Sequence, residues 1–167
     1  MPVSPPFDAP AAPADEGRGL PLIEILAPQS ATDFDAARVV AREYAAALGF
    51  DLCFQGFEQE IEQLRQHYAP PHAGFLLAWV DGAVAGCGAF RPLPDVDHVN
   101  ACEMKRLYVR PAFRRFGLGR LLAQALIDAA AQAGYSSMLL DTLDDMEAAR
   151  GLYETLGFVE VPPYYFN

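Results

Sequence analysis

Apolar residues along the chain fall into short runs and spaced stripes, and the period of each predicts an element. "LPLIEIL" (Leu20–Leu26) predicts a first strand. Phe34, Ala37, Ala41, Tyr44, Ala45 and Leu48 recur at helical spacing over Thr32–Leu48, with Gly49 as a stop. Phe57, Ile61, Leu64 and Tyr68 share one stripe and predict a second helix over Phe57–Tyr68, ended by Pro70 and Pro71. "FLLAWVDGAVAGCGAF" (Phe75–Phe90) places two apolar runs around Asp81-Gly82, a pair that accepts the positive φ angles of a tight hairpin turn. Ala101–Val109 reads as another strand, and Leu118, Leu121, Leu122, Ala125, Leu126 and Ala129 mark a helix to about Ala133, closed by Gly134. A buried strand is expected at Ser137–Thr142, then a helix over Met146–Leu156 with Gly157 as its left-handed terminator. "FVEV" and "YYF" predict short closing strands around Pro162 and Pro163. Residues 1–19, dense in Pro and Ala, lack periodicity and read as a flexible tail before a single domain at 20–167. A hairpin in the first half and alternating strands and helices in the second give an α/β fold class with a mixed sheet.

Composition narrows the function. The 167 residues are 52% hydrophobic and carry a formal net charge of -10, with a pI near 4.6. That balance argues against nucleic acid as the main partner, since phosphate neutralisation needs a basic face. No apolar run approaches the roughly 18 residues of a membrane span, and no secretory leader is evident, so a cytoplasmic location with no membrane partner is expected. Cys53, Cys87 and Cys102 have no metal-ligand spacing and read as free thiols. No metal is expected.

Against this acidic background, "RRFGLGR" (Arg114–Arg120) stands out. Lys105, Arg106, Arg110, Arg114, Arg115 and Arg120 are six of the 12 basic residues, and no Asp or Glu interrupts them. Gly117 and Gly119 fall where a strand gives way to a helix, whose first N–H groups have no intrahelical acceptor and attract anions. Glycine lets a phosphate approach that backbone without meeting a Cβ. A dinucleotide fingerprint would need a further glycine at Leu122, and a P-loop would need Lys-Ser/Thr after Gly119, so neither fits. The remaining alternative is an ordinary glycine turn with a solvated basic flank.

These residues resemble the GNAT superfamily of N-acetyltransferases. The acetyl-coenzyme A signature Arg/Gln-x-x-Gly-x-Gly/Ala is met by Arg114-Arg115-Phe116-Gly117-Leu118-Gly119. The family's second motif, Ala-x-x-Leu-Tyr-x-x-x-Gly-Phe, is met by Ala149, Leu152, Tyr153, Gly157 and Phe158. The resemblance implies a mixed, mostly antiparallel sheet flanked by helices, with a central V-shaped splay between two strands. It implies acetyl-coenzyme A as co-substrate, with the backbone of Leu107, Tyr108 and Val109 pairing with the pantetheine arm. Backbone N–H groups of the segment Arg114, Arg115, Phe116, Gly117, Leu118, Gly119 and Arg120 would hold the diphosphate, and Tyr153 would sit beside the sulfur. Two departures stand out: Met146 occupies a position where the family often has Asn, and the chain stops at Asn167 where many relatives continue into another strand. The sheet is therefore expected to end early or to borrow an edge from a second copy, as a homodimer would provide.

Acetyl transfer to an amine needs a neutral nucleophile, a stabilised oxyanion and a proton for the leaving thiolate. A bulge near Leu107 would aim a backbone N–H at the thioester carbonyl. Tyr153 is the candidate acid, against the plainer reading of a packed helix aromatic. Glu103 is the candidate base, on the face of Leu107 if the strand keeps strict alternation; the alternative is a carboxylate paired with Lys105 or Arg106. His67, His72 and His98 lack partner spacing, and Cys102 lacks a base beside it. The aromatics Phe50, Phe54, Phe57, Tyr164, Tyr165 and Phe166 read as core that also walls an acceptor pocket, with Asp51 and Gln55 as substrate contacts. The expected reaction is direct attack, in a ternary complex, by a primary amine of a small molecule or peptide. The other functional class open to the sequence is a non-catalytic acetyl-coenzyme A sensor or scaffold.

Overall fold

Asp81 and Gly82 both take positive φ, 49° and 82°, which matches the two-residue loop whose twist suits a hairpin. They join β2 (Gly74–Val80) to β3 (Ala83–Pro92) in the computed structural model of the protein, which describes residues 19–48, 56–94, 96–141 and 147–164. The turn also holds β1 (Ile23–Leu26): the Leu22 N–H donates to Asp81 Oδ1 at 2.9 Å, and the Asp81 N–H donates to the Leu22 carbonyl at 2.8 Å. The first strand is shorter than the apolar run because Pro21 has no donor for the ladder and Leu20 is fully exposed.

The sheet runs β1-β2-β3-β4-β5, where β4 is Ala101–Val109 and β5 is Ser137–Leu139. Every neighbouring pair is antiparallel except β4 and β5. That last pair is brief: Ala101, Cys102 and Glu103 face Ser137, Met138 and Leu139, and beyond Glu103 the strands part. The expected splay is this opening.

One face of the sheet is covered by α1 (Ala31–Leu48), α2 (Phe57–Glu62) and α3 (Leu64–His67), through Ala37, Val40, Ala41, Phe57, Ile61 and Leu64 against Phe75, Leu77, Cys87 and Ala89. Helix α1 starts with a capping box: the Asp33 N–H donates to Ser30 Oγ at 3.1 Å, and Asp33 Oδ2 accepts from the Gln29 and Ser30 N–H groups. The opposite face carries α4 (Leu118–Gln132), which sets Leu118, Leu122, Ala123 and Leu126 against Ala78, Ala85, Phe90, Cys102 and Met104. Gly86 lies at the centre of the sheet, where a Cβ would meet the Tyr108 carbonyl oxygen at 2.5 Å. The last helix, α5, is Glu147–Thr155.

Two expectations fail. The helix foreseen over Phe57–Tyr68 is broken at Gln63, because Arg38 of α1 donates to the carbonyls of Ile61 and Glu62, at 3.2 and 3.4 Å, which a continuing helix would need. "FVEV" forms no strand: Val159 is exposed, Glu160 turns back to an ion pair with Arg150 at 2.8 Å, and Pro162 and Pro163 remove two donors. The tail at 1–18, Gly49, Phe50, Asp51, Cys53, Phe54, Gln55, Thr142, Met146, Tyr165 and Phe166 lie outside the described residues. Among the described residues no helix is long and apolar enough to cross a membrane.

Candidate active site

Two backbone devices flank the splay. The first is a bulge in β4. Pairing with β3 steps from Cys87 opposite Tyr108 to Ala89 opposite Lys105, so Arg106 and Leu107 together face the single residue Gly88. Arg106 adopts φ 60°, a left-handed conformation that costs a side-chain-bearing residue roughly 1–2 kcal/mol. Its guanidinium supplies the compensation. Nε and Nη2 donate to Glu60 Oε2 and Oε1 at 2.9 and 3.1 Å, and the group lies over the rings of Phe57 and Tyr44. Both partners are buried. Burial alone would disfavour both charges, but the paired hydrogen bonds and opposite charge outweigh it: the Glu60 pKa is held below its usual value and that of Arg106 above.

The bulge overturns the alternation expected for β4. Cys102, Met104 and Leu107 pack toward α4, whereas Glu103 pairs with Arg91 across the sheet, and Arg106 and Tyr108 meet α2 and α1. Glu103 and Leu107 thus lie on opposite faces. Glu103 is buried; Lys105 Nζ is 3.3 Å from its Oε1, and the Tyr164 hydroxyl donates to its Oε2 at 2.9 Å.

The second device is the start of α4. A 3-10 turn, Pro111–Phe116, leads into Gly117 at φ 68°, and no side chain caps the helix. The Leu121 N–H donates to the Gly117 carbonyl, which leaves the Leu118, Gly119 and Arg120 N–H groups at the open end of the helix. A Cβ on Gly117 would meet nothing, and one on Gly119 would touch Leu152 only at 3.5 Å. The basic run is less bare than it looks in sequence. Lys105, Arg106 and Arg110 are paired with Glu103, Glu60 and Glu43, carboxylates distant in the chain or, for Glu103, just before the run. Arg114 donates to the Val109 carbonyl and Arg120 to Thr155 Oγ1, with no ion pair to Arg114, Arg115 or Arg120 among the described residues. Within this run, the arginines without an ion pair among the described residues are thus those of the loop.

Tyr153 is aimed by the end of its own helix. Gly157 takes φ 96°, the Phe158 N–H reaches back to the Tyr153 carbonyl at 3.0 Å, and the Gly157 N–H to that of Glu154 at 3.1 Å. This Schellman closure stacks the Phe158 ring edge-on against Tyr153 at 5.7 Å. Tyr153 lines a small cavity of about 50 Å³ with Tyr44, Leu48, Met104, Lys105, Arg106, Leu107 and Ala149. Burial, with a smaller contribution from Tyr44, pushes its phenol up to about 12. The group is neutral at every physiological pH and available as a donor.

The structure therefore brings Tyr153, Leu107 and the bulge to one cavity and puts the glycine loop at the start of the helix behind it. Glu103 lies on the other face of β4 from Leu107, outside the cavity lining but ion-paired with Lys105, which belongs to it. Sequence reasoning missed Glu60, Arg91 and Tyr44, whose contributions depend on contacts made only in the fold. The Cys87 thiol donates to the Arg106 carbonyl, and burial pushes its pKa up to about 12 and that of Cys102 up to about 11. Neither is a nucleophile.

The chain is similar to known proteins. The family model described as "Acetyltransferase (GNAT) family" matches residues 41–158. An uncharacterized N-acetyltransferase of Schizosaccharomyces pombe is 40% identical over 146 residues, 87% of this chain and 88% of that protein. Another, from Escherichia coli K12, is 30% identical over 127 residues, 75% of each. Among solved structures, an aminoglycoside N-acetyltransferase in complex with CoA superposes with a TM-score of 0.71 at 18% identity, over 90% of this chain and 96% of that one.

Proposed function

The chain belongs to the GNAT family of acetyl-coenzyme A-dependent N-acetyltransferases, and we propose that it acetylates a primary amine of a small molecule or peptide by direct attack in a ternary complex. The observation that carries this reading is the meeting of the Leu107 bulge and the Tyr153 phenol in one cavity at the splay. In this reading the edge of β4 opened by the splay, at Leu107, Tyr108 and Val109, pairs with the pantetheine arm. The N–H groups around Gly117 and Gly119 hold the diphosphate, with Arg114, Arg115 and Arg120 adding charge. The amine nitrogen attacks the thioester carbonyl carbon, and the oxygen takes the negative charge against the Leu107 N–H. The C–S bond then breaks, the thiolate leaves, and the nitrogen loses its proton through water to Glu103.

The phenol's elevated pKa defines what Tyr153 contributes. A thiol has a pKa near ~8.5, so complete transfer from a group near 12 is uphill by about 5 kcal/mol at ~1.36 kcal/mol per unit. Tyr153 therefore acts best as a hydrogen-bond donor to the developing thiolate, with full transfer following as the coenzyme departs into water.

The test is thiol release from acetyl-coenzyme A with a panel of primary amines, repeated with Tyr153→Phe. Turnover should fall by roughly 10²–10⁴, in kcat and kcat/KM together. Coenzyme affinity and melting temperature should hold, because the ring stays. An equally active and equally stable Phe variant returns Tyr153 to a packing role.

A further inference from the structure

Lys105 is the only lysine in the chain; the other eleven basic side chains are arginine. It lines the cavity with Tyr153. Around it, on one face of β3 and β4, stand Arg91, Arg106, Glu60 and Glu103, with Arg91–Glu60 at 3.4 Å, Arg106–Glu60 at 2.9 Å and Lys105–Glu103 at 3.3 Å. Glu60 thus serves two arginines, and among the described residues the ion pairs of this group join three cations to two carboxylates.

Exposure sorts these charges by depth. The Glu60, Glu103 and Arg106 side chains are only 2–3% exposed, whereas Lys105 keeps 15% and Arg91 35%. Of the two more exposed cations, Lys105 lines the cavity, and Arg91 lies outside that lining on the neighbouring strand, opposite Glu103. An unbalanced charge in a partly buried cluster is costly, and an anionic group on the ligand removes that cost. Burial, with smaller contributions from Arg91 and Arg106, outweighs the attraction of Glu103 and holds the Lys105 pKa below the ordinary lysine value. The chain as a whole is acidic, which by itself would favour a purely cationic amine.

We propose that the acceptor is an amine that also carries a carboxylate, of the α-amino acid type, with Lys105 and Arg91 receiving the carboxylate while the amine faces the thioester. The inference rests on the acetyl-transfer reading and specifies its substrate class. A lysine suits the inner position because its compact ammonium fits between Glu103 and the ligand, where a planar guanidinium would demand a wider approach.

The experiment uses the full chain, saturating acetyl-coenzyme A and matched pairs of acceptors, each an α-amino acid and the amine left when its α-carboxylate is removed, such as L-phenylalanine and 2-phenylethylamine. Pairs with apolar, polar and acidic side chains cover the unknown remainder. The carboxylated member should have a kcat/KM roughly 10–100-fold higher, the worth of a charge-assisted contact, carried mostly by KM. Lys105→Met should shrink that ratio, and Arg91→Gln, at the more exposed site, should shrink it less while keeping the melting temperature. Equal turnover of both members in the wild type, or a ratio unchanged in both variants, overturns the proposal and leaves acetyl transfer standing. No thiol release with any pair, despite coenzyme binding, overturns acetyl transfer to amines and the proposal with it.

Discussion

The bulge in β4 and the glycine loop before α4 both hold a residue in left-handed backbone, yet they are held by opposite means. At Gly117 the left-handed turn needs only a residue without a Cβ, and the chain supplies it on the spot. At Arg106 a comparable φ is held in a residue that disfavours it, by a carboxylate 46 positions away. A locally specified device tolerates change elsewhere but not at its own glycines. A device held by a remote ion pair fails when either partner is lost, wherever that partner lies.

The strongest way to break this contrast is Glu60→Ala. It leaves the Arg106 guanidinium buried and unpaired, which should cost about 3–5 kcal/mol of stability and a large part of turnover. Adding Arg106→Gly should recover much of that stability, since glycine accepts the φ and brings no charge. Chemical denaturation of the single and double variants measures both effects; a double variant no more stable than Glu60→Ala would mean the pair does not hold the bulge.

The loop offers the complementary measurement. A Cβ on Gly119 meets only an ordinary contact with Leu152, and alanine is a better helix former than glycine. Gly119→Ala should therefore raise stability by roughly 0.5–1 kcal/mol while weakening coenzyme affinity about 10–100-fold, through crowding of charge-assisted phosphate contacts. Thermal melts and calorimetric titration separate the two. Unchanged affinity would remove the diphosphate from this helix end.

A third measurement, confined to alkaline pH, concerns Tyr153, which a local helix closure orients and tertiary burial against β4 perturbs. Its folded pKa lies near 12, above the ordinary phenol value near 10, so the folded state holds the proton more tightly than the unfolded one. That contribution is complete below pH ~10 and is lost as pH rises toward 12. Alkaline titrations of stability should accordingly show a shallower decline for Tyr153→Phe than for the wild type across that window. Parallel curves would mean that burial does not perturb the phenol as described.

Much of the molecule was legible where neighbours in sequence are neighbours in space. The Asp81-Gly82 hairpin, the extent of β4, Gly134 and Gly157 as helix ends, and the glycines at the start of α4 all depend on φ preferences or hydrogen bonds within a few residues. The single lysine was also visible, and its place in an apolar strand was the available sign of a special environment. The break at Gln63 was not legible, because the side chain that captures the carbonyls of Ile61 and Glu62 belongs to α1.

The sequence by itself determined most of the strands and helices, where the left-handed glycine turns fall, and that one helix would begin on bare glycines beside arginines. Those outcomes follow from steric and hydrogen-bond rules that act over one or two turns of chain. Only the tertiary structure decided the bulge at Arg106, the opposite faces of Glu103 and Leu107, and the ion-pair cluster around Lys105. Each depends on charges from α2 and β3 meeting β4 in a space with little water, where pairing outweighs the local cost of conformation and burial.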